Sequence, residues 1–458
     1  MKKTNFYIET LGCKVNQYES DGIAADLEAR GMVRSGTREG SDLCIINTCA
    51  VTSKAGMQSR QAIRKLIREN PDAKIVVTGC HAQTDPEQIR EIRDVDHIVC
   101  HKDKGKIARA IAKDCSASDC SASNCSTPGC KECGNAPAFS FKKPDHSGHI
   151  PFLNFDKPVS GTMTRAYLKI QDGCNAFCTY CIVPYARGGS VSMPRAKVLD
   201  HIGGLAAKGF KEVIITGIHT GMYGLDLTPP TSLADLIRDL DAQKQVERVR
   251  ISSIEPGELS QDLIDLARPG HILCDHFHIP LQSGDDDVLQ RMKRPYSTAE
   301  FASVIHNIHA TLPHAGIGLD VLIGFPGETD AQFENTYELV KRLPVSYLHV
   351  FPFSPRKGTP AFHFNPKVPS DIIKERCARM RSLDREKRKA FIASNRGKTL
   401  RALVQHQEDK QSGMLKAVTA NYLTILVDKK QDLKGKIVDL VYEQCDSDLN
   451  IIGKLLTN

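Results

Sequence analysis

Three cysteines, Cys174, Cys178 and Cys181, stand within eight residues of one another in DGCNAFCTYCIVPYARG (172–188), directly after a predicted strand. Three thiolates so closely spaced can wrap one face of a [4Fe–4S] cube. Three ligands for four irons leave one iron open, and an open position is what a catalytic metal needs. Two other readings compete: a zinc site short of its fourth ligand, and a thioredoxin-type pair formed by Cys178 and Cys181. Neither accounts for Cys174 four residues before Cys178, nor for the lack of a neighbouring histidine in the sequence. The spacing is also far more specific than a lone CxxC.

A second set is spread along the chain. Cys13, Cys49 and Cys80 each fall one or two residues past the carboxyl end of a predicted strand: NFYIETLG (5–12), DLCIIN (42–47) and KIVVTG (74–79). If those strands are parallel, their ends share the sheet edge at which open α/β sheets bind ligands. The competing reading is that isolated buried cysteines are common and inert; Cys44 and Cys100, inside predicted strands, illustrate it. Five more cysteines, Cys115, Cys120, Cys125, Cys130 and Cys133, sit among Ser, Asn, Gly and Pro, the first four at a strict interval of five. That interval is not a recognised ligand spacing, and the composition cannot bury a core, so the tract reads as a loop or linker, with metal binding the minority reading.

The elements that must position these residues follow from the hydrophobic pattern. Helices at QYESDGIAADLEARG (17–31) and about 53–69 separate the first strands, and a fourth strand is expected near DHIVC (96–100). Residues 1–113 therefore read as an open parallel α/β sheet. Residues 114–160 are the Cys/Ser-rich insertion and linker. Over 161–392, strands at 166–171, 212–216, 248–253, 276–281, 316–324 and 346–351 alternate with helices, which suits a partial (β/α)6 barrel. Residues 393–458 carry short alternating segments, TLRALVQ, LKAVTA, YLTILV and KGKIVDLVYEQ, consistent with a small antiparallel, OB-like barrel. The fold class is α/β.

Composition narrows the chemistry. Sixteen cysteines in 458 residues, with no export signal in MKKTNFYIETLGC, favour metal or redox chemistry over a disulfide framework. Hydrophobic residues at 41% exclude wholesale disorder, and no apolar run reaches the ~20 residues that cross a bilayer. A cytoplasmic protein without membrane partners is expected. The net charge of +7 is concentrated: residues 371–401 hold eleven Lys/Arg against four Asp/Glu. Such a stretch points to a polyanion partner, or to a solvated helix face.

The triad at 174–181 resembles that of the radical S-adenosylmethionine (SAM) superfamily. The resemblance implies that the open iron chelates SAM, and that one-electron cleavage yields a 5′-deoxyadenosyl radical. TLGCKVNQYES (10–20), INTCAVTSKA (46–55) and VVTGC (76–80) are similar to the N-terminal domain of the methylthiotransferases, in which the three cysteines hold an auxiliary [4Fe–4S] cluster. TGIHTG (216–221), SSIEPGEL (252–259), HIPLQSGDDDVLQRMKRPY (278–296), DVLIGFPGET (320–329) and HVFPFSPRKGTPA (349–361) extend the likeness through the central domain. The last barrel occupies the place of the family's RNA-binding TRAM domain. The resemblance covers nearly the whole chain apart from 114–160.

Within the family, TLGCKVNQYES and the 172–188 segment are most similar to the branch that acts on threonylcarbamoyl-adenosine 37 of tRNA. Sister branches act on isopentenyl-adenosine or on a ribosomal-protein aspartate. What the resemblance implies is two SAM molecules per turnover, one methylating a sulfur at the auxiliary cluster and one furnishing the radical. It also implies the tRNA anticodon stem-loop as partner, a low-potential electron donor and a sulfur source, neither identified. Lesser assignments are Tyr180 against the adenine of SAM or in loop packing, Gly217 and Gly221 beside its methionine end or in a plain turn, and Glu255 on its ribose or capping a helix. Asp320 and the turn at 324–328 would shape the pocket. Only Tyr422 and Tyr442 are aromatic over 395–458, and Trp is absent, so backbone and shape reading of RNA is expected over base stacking. A reading of another class is a non-catalytic, zinc-containing RNA-binding protein.

Overall fold

The computed structural model describes residues 4–112, 150–155, 163–429 and 433–456; the tract from Cys115 to Cys133 lies outside them. The first unit is a five-stranded sheet of β1 (Asn5–Thr10), β2 (Val33–Arg34), β3 (Leu43–Thr48), β4 (Lys74–Gly79) and β5 (His97–Val99). Its order is β2-β1-β3-β4-β5 with every pair parallel. All six residues of β3 are buried, as a central strand covered on both faces requires. The two-residue β2 is absent from the sequence reading because it is too short to carry a period. The first helix runs Lys14–Glu28 and has Cys13 as its N-cap residue. The next, Ser53–Glu69, is capped by Thr52, whose side-chain oxygen accepts from the Ala55 amide at 3.0 Å.

The second unit contains β6 (Ala166–Lys169), a short antiparallel pair β7 (Gln171–Asp172) and β8 (Val191–Ser192), then β9 (Glu212–Thr216), β10 (Arg248–Ile251), β11 (His276–Gln282), β12 (Gly316–Ile323) and β13 (Tyr347–Pro352). Strands β6-β9-β10 pair in parallel, as do β11-β12-β13. Two isolated parallel bridges, Val249↔Leu273 and Ser253↔His278, span the gap between the sets and complete a six-strand arc. This is the expected partial barrel, with the pairing interrupted at its middle. Alternation divides each strand. Phe277, Ile279, Leu281, Ile317, Leu319, Val321 and Leu348 join the core with Phe301, Ile305 and Phe333 of the covering helices. His276, His278, Asp320, Tyr347 and His349 therefore share the opposite face, toward the lumen.

The third unit, β14 (Thr399–Glu408), β15 (Leu415–Thr419), β16 (Thr424–Val427), β17 (Ile437–Cys445) and β18 (Ile451–Leu455), closes in the order β14-β15-β16-β18-β17. The sequence reading expects antiparallel pairing throughout, but β16 and β18 are parallel. Five strands in a ring cannot alternate direction all the way round, so one neighbouring pair must run the same way.

This small barrel plugs the base of the large one. Arg250 donates to the Ala420 and Thr419 carbonyls at 2.7 and 3.0 Å, Arg248 to the Val418 carbonyl at 3.0 Å, and both pair with buried Glu212. A Cβ on Gly316 would stand 2.2 Å from the Asn421 carbonyl oxygen, so glycine is what lets the plug seat. Tyr422 stacks on His276 at 4.2 Å and Tyr442 is buried. Tyr442 is thus closed to an RNA base and Tyr422 is already engaged.

Candidate functional site: two facing cysteine loops

Register brings the first triad together. Strands β1, β3 and β4 are neighbours, with Thr10 opposite Asn47 and Thr48 opposite Gly79. Cys13, Cys49 and Cys80 therefore leave adjacent strand ends at one sheet edge. Two glycines permit the close approach. Gly79 has φ +99°, and a Cβ there would lie 2.4 Å from the Thr48 amide nitrogen and carbonyl oxygen; a Cβ on Gly12 would lie 2.9 Å from Cys49 Sγ. Asn16 ties the two turns by donating to the Leu11 and Thr48 carbonyls at 2.8 and 3.0 Å. The thiols sense one another. Burial, then the charges of Cys80 and Cys13, push Cys49 up to about 11. Burial also raises Cys80, which the Arg187 cation opposes and Cys13 reinforces.

The second triad follows β7. Ala176 donates its amide to Cys174 Sγ at 3.4 Å, and His219 Nδ1 lies 3.2 Å from the same sulfur. Arg294 donates to Cys178 Sγ at 3.3 Å. Burial and the neighbouring Cys178 and Cys174 push Cys181 up to about 12. His219 Nε2 pairs with Glu258 at 2.6 Å. Burial opposes its charge, but Cys174 and Glu258 outweigh that and lift it to about 10. Gln171 organises the loop, accepting from the Ile218 and His219 amides at 3.0 and 2.8 Å while donating to the Gly173 carbonyl at 2.8 Å.

The two loops touch. Ala50, Cys80, Ile182 and Ala186 form one buried apolar cluster, so the Cys80 turn and the segment after Cys181 share a core. A loop from the end of β13 clamps this face: Ser53 donates to Ser354 Oγ and the Pro355 carbonyl at 2.9 and 3.2 Å, and Arg356 reaches Asp85 at 3.3 Å. Beneath lies a buried ionic knot. Glu19 accepts from Lys104 at 2.6 Å, Arg187 at 2.9 Å and Lys169 at 3.1 Å, while Asp172 takes Lys169 at 2.7 Å and Arg187 at 2.8 Å. A cavity of about 790 Å³ leads toward these loops, lined by Gln83, Asp85, Ile182, Tyr185, Lys357 and Phe362.

The donor set suits clusters better than single ions. A tetrahedral ion with metal–sulfur bonds of about 2.3 Å holds its sulfurs about 3.8 Å apart. Among the described residues, neither cysteine triad has its sulfurs all within 4.8 Å of one another. Thiolates in two sets of three are the donor chemistry of iron–sulfur clusters.

The lesser candidates are engaged within the chain. Tyr180 leans on the cluster of Val288, Met292, Phe325 and Ala361. Gly217 makes room for Gln171, and Gly221 for Glu258, whose carboxylate fills the space of a Cβ. Glu255 precedes a 3-10 turn without capping it and instead pairs with Arg294. Asp320 pairs with His278 and His349. In the basic stretch, Arg376 pairs with Glu328 and Asp330, Arg379 with Glu334, Arg388 with Asp384 and Arg401 with Glu247, while Lys387 caps two carbonyls. Lys374, Arg381, Lys389 and Arg396 stay exposed, so the charge available to a polyanion is smaller than the residue count implies. His219, Glu258, Arg294 and Arg187 were missed by the sequence reading. All four stand inside quoted motifs, but only the fold shows which partner each one meets.

The family described as "Uncharacterized protein family UPF0004" matches residues 5–100, and the radical SAM superfamily matches residues 168–340. The chain is 36% identical over 432 residues to the threonylcarbamoyladenosine tRNA methylthiotransferase MtaB of Bacillus subtilis (strain 168), covering 94% of this chain and 91% of that one. The protein of the same name from Aquifex aeolicus (strain VF5) is 35% identical, covering 94% and 98%. The tRNA-2-methylthio-N(6)-dimethylallyladenosine synthase of Pelotomaculum thermopropionicum is 31% identical, covering 96% and 94%. Among solved structures, the radical SAM methyltransferase TsrM of Kitasatospora setae, with cobalamin and a [4Fe–4S] cluster bound, has a similar fold: TM-score 0.56 at 15% identity, covering 79% and 74%.

Proposed function

The chain belongs to the radical SAM methylthiotransferase family, and from that premise we propose that it adds a methylthio group to C2 of N6-threonylcarbamoyladenosine at position 37 of tRNA. The observation that supports the reading is the shared buried cluster of Ala50, Cys80, Ile182 and Ala186, which joins the Cys80 turn to the segment after Cys181. The substrate branch rests on six relatives that bear the threonylcarbamoyladenosine name, five at 35–36% identity and one at 30%, against 29–31% for two dimethylallyladenosine synthases.

Cys174, Cys178 and Cys181 would hold one [4Fe–4S] cluster and Cys13, Cys49 and Cys80 the other. With two SAM molecules per turnover, these groups supply the one-electron route and the methylthio group that substitution at an unactivated C–H demands. The chain's own residues do the rest. Arg187 and Arg294 place fixed positive charge beside the two sets of thiolates. The clamp from Ser354 to Arg356 and the knot around Glu19 hold the loops in register. Exposed Lys374, Arg381, Lys389 and Arg396 meet phosphates, and the adenine leaves its stack to reach the barrel mouth. A low-potential electron donor and a sulfur source, neither identified, complete the reaction, in the cytoplasm where tRNA is modified.

Mass spectrometry of tRNA nucleosides from cells with and without the chain tests the substrate. The expected result is loss of the methylthio group from threonylcarbamoyladenosine alone; loss from the isopentenyl derivative, or none, refutes it. Cys13→Ala should abolish methylthio transfer while leaving reductive cleavage of SAM. Anaerobically purified protein should be brown, with roughly eight irons per chain; a colourless zinc protein would refute catalysis.

A further inference from the structure

Apart from both cysteine loops, three potential ligands converge inside the large barrel. His278 on β11, Asp320 on β12 and His349 on β13 have donor atoms all within 4.8 Å of one another, and among the described residues they are the one such group. Topology puts them there. The three strands are adjacent and parallel, Asp320 is in register with His349, and His278 is in register with Gly318, two residues before Asp320 on the same face. Asp320 Oδ1 lies 2.8 Å from His278 Nε2 and 3.2 Å from His349 Nδ1.

We propose that His278, Asp320 and His349 form a third metal centre, a two-histidine, one-carboxylate site for a divalent first-row ion such as Zn²⁺ or Fe²⁺. An ion with bonds of about 2.1 Å and angles between octahedral and tetrahedral holds its donors about 3.0–3.4 Å apart. The two carboxylate–imidazole separations lie within a few tenths of an ångström of that range, and the two imidazoles lie within 4.8 Å of each other. Two imidazoles and a carboxylate are the donor set that such ions prefer over calcium or magnesium. The supporting contacts are also built. The Tyr347 hydroxyl lies 3.2 Å from His278 Nδ1, the nitrogen that would not bind metal, and 2.8 Å from His276 Nε2. A partner on the far nitrogen fixes the orientation of a ligating histidine.

An ion also has a way in. Side-chain exposure rises from 10% at His278 through 23% at Asp320 to 48% at His349. A cavity of about 400 Å³ lined by Tyr347, His349, Arg388 and Tyr422 opens at that outer histidine. Three ligands leave positions free on a four- or six-coordinate ion, so the centre would offer an open site to an oxygen or nitrogen donor in the lumen. The inference does not depend on the reaction proposed above, because its three ligands stand on strands β11, β12 and β13 and include none of the six cysteines.

Zinc chloride is the probe, since zinc outranks ferrous iron at nitrogen–oxygen sites and reports the centre whichever ion is native. The full chain, with its iron–sulfur content intact, is stripped with EDTA, given zinc chloride and gel-filtered. Zinc and iron are then counted and the zinc absorption edge is analysed. The proposal expects one zinc per chain with a purely nitrogen–oxygen shell at about 2.0–2.1 Å. It also expects at least a tenfold loss of zinc in His349→Gln and in Asp320→Asn, with iron unchanged as the control for folding. No retained zinc, a sulfur shell at about 2.3 Å, or undiminished zinc in both variants overturns it. Should either variant misfold, the shell measured on the unaltered chain decides the matter alone.

Discussion

Replacing Glu19 by glutamine removes one anion from a knot in which it faces three cations. Asp172 would still hold Lys169 and Arg187, at 2.7 and 2.8 Å. Lys104 would be left with neutral acceptors only, the glutamine amide and Asn47 Oδ1 at 3.3 Å, and its side chain is 0% exposed. Stranding a buried charge costs about 3–5 kcal/mol. The alternative is to release the proton. At pH 7, some 3.4 units below the usual lysine value, that costs about 4.6 kcal/mol at 1.36 kcal/mol per unit. The two routes agree on roughly 4 kcal/mol. They also fix the sign of a pH effect. In the variant the folded state lacks a proton that the unfolded chain binds, so stability rises with pH, by up to about 1.4 kcal/mol per unit between pH 7 and 10. Urea unfolding followed by circular dichroism measures both, the chain having no tryptophan to report by fluorescence. A loss below about 1 kcal/mol, or one that does not shrink as pH rises, refutes the reasoning.

Other outcomes follow from the same geometry. Gly79→Ala forces a Cβ to within 2.4 Å of the Thr48 backbone at φ +99° and ψ −173°; this region is essentially glycine-only and costs about 1–3 kcal/mol before any clash. Iron per chain should fall by about half as the Cys80 turn shifts, and full iron content would show that the turn tolerates the strain. Burial opposes the charge of Asp172 and Glu212, but neighbouring cations outweigh it and hold both near 2. Their stabilisation is complete above about pH 5 and fades between roughly pH 4 and 2; acid titration of Asp172→Asn should lack its share of that loss. Alanine at Arg381 or Lys389 should lower the slope of log affinity for tRNA against log salt by about one unit or less each. Alanine at Arg376, already paired twice, should leave the slope unchanged.

Much of this architecture was legible before any coordinates. Cysteine positions at strand ends, together with the inference of parallel strands, sufficed to place Cys13, Cys49 and Cys80 at one edge, because pairing in a parallel sheet sets all the carboxyl ends on the same side. The period-two alternation in HFHIP and YLHVF also marks His278 and His349 as lumen-facing, although the sequence reading did not use it. Contacts between distant segments left no such trace. Nothing in TGIHTG shows that His219 meets Cys174 rather than solvent. Nor does the composition of 371–401 reveal that Arg376 is spent on Glu328. Charge counts register how many cations exist, whereas partner distance decides how many remain free.

The ionic knot also ties the parallel sheet to the partial barrel. Gathering three thiols at a sheet edge is unfavourable for the metal-free chain. Burial pushes Cys49 to about 11 and Cys181 to about 12, so each holds its proton at neutral pH and must release it to bind a metal. A nearby cation lowers that cost, but a mobile one would collapse onto the sulfur. Arg187 cannot, because its two terminal nitrogens are already committed to Asn16 at 2.6 Å, Glu19 at 2.9 Å and Asp172 at 2.8 Å. Arg294 is likewise held by Glu255 and the Tyr296 hydroxyl. Since Arg187 belongs to the barrel unit and Glu19 and Asn16 to the sheet unit, the ion pair that steadies the charge beside Cys80 also fixes the two cysteine loops with respect to each other. Inter-unit stability and the electrostatics of the site are one physical property, and damage to either should appear in both.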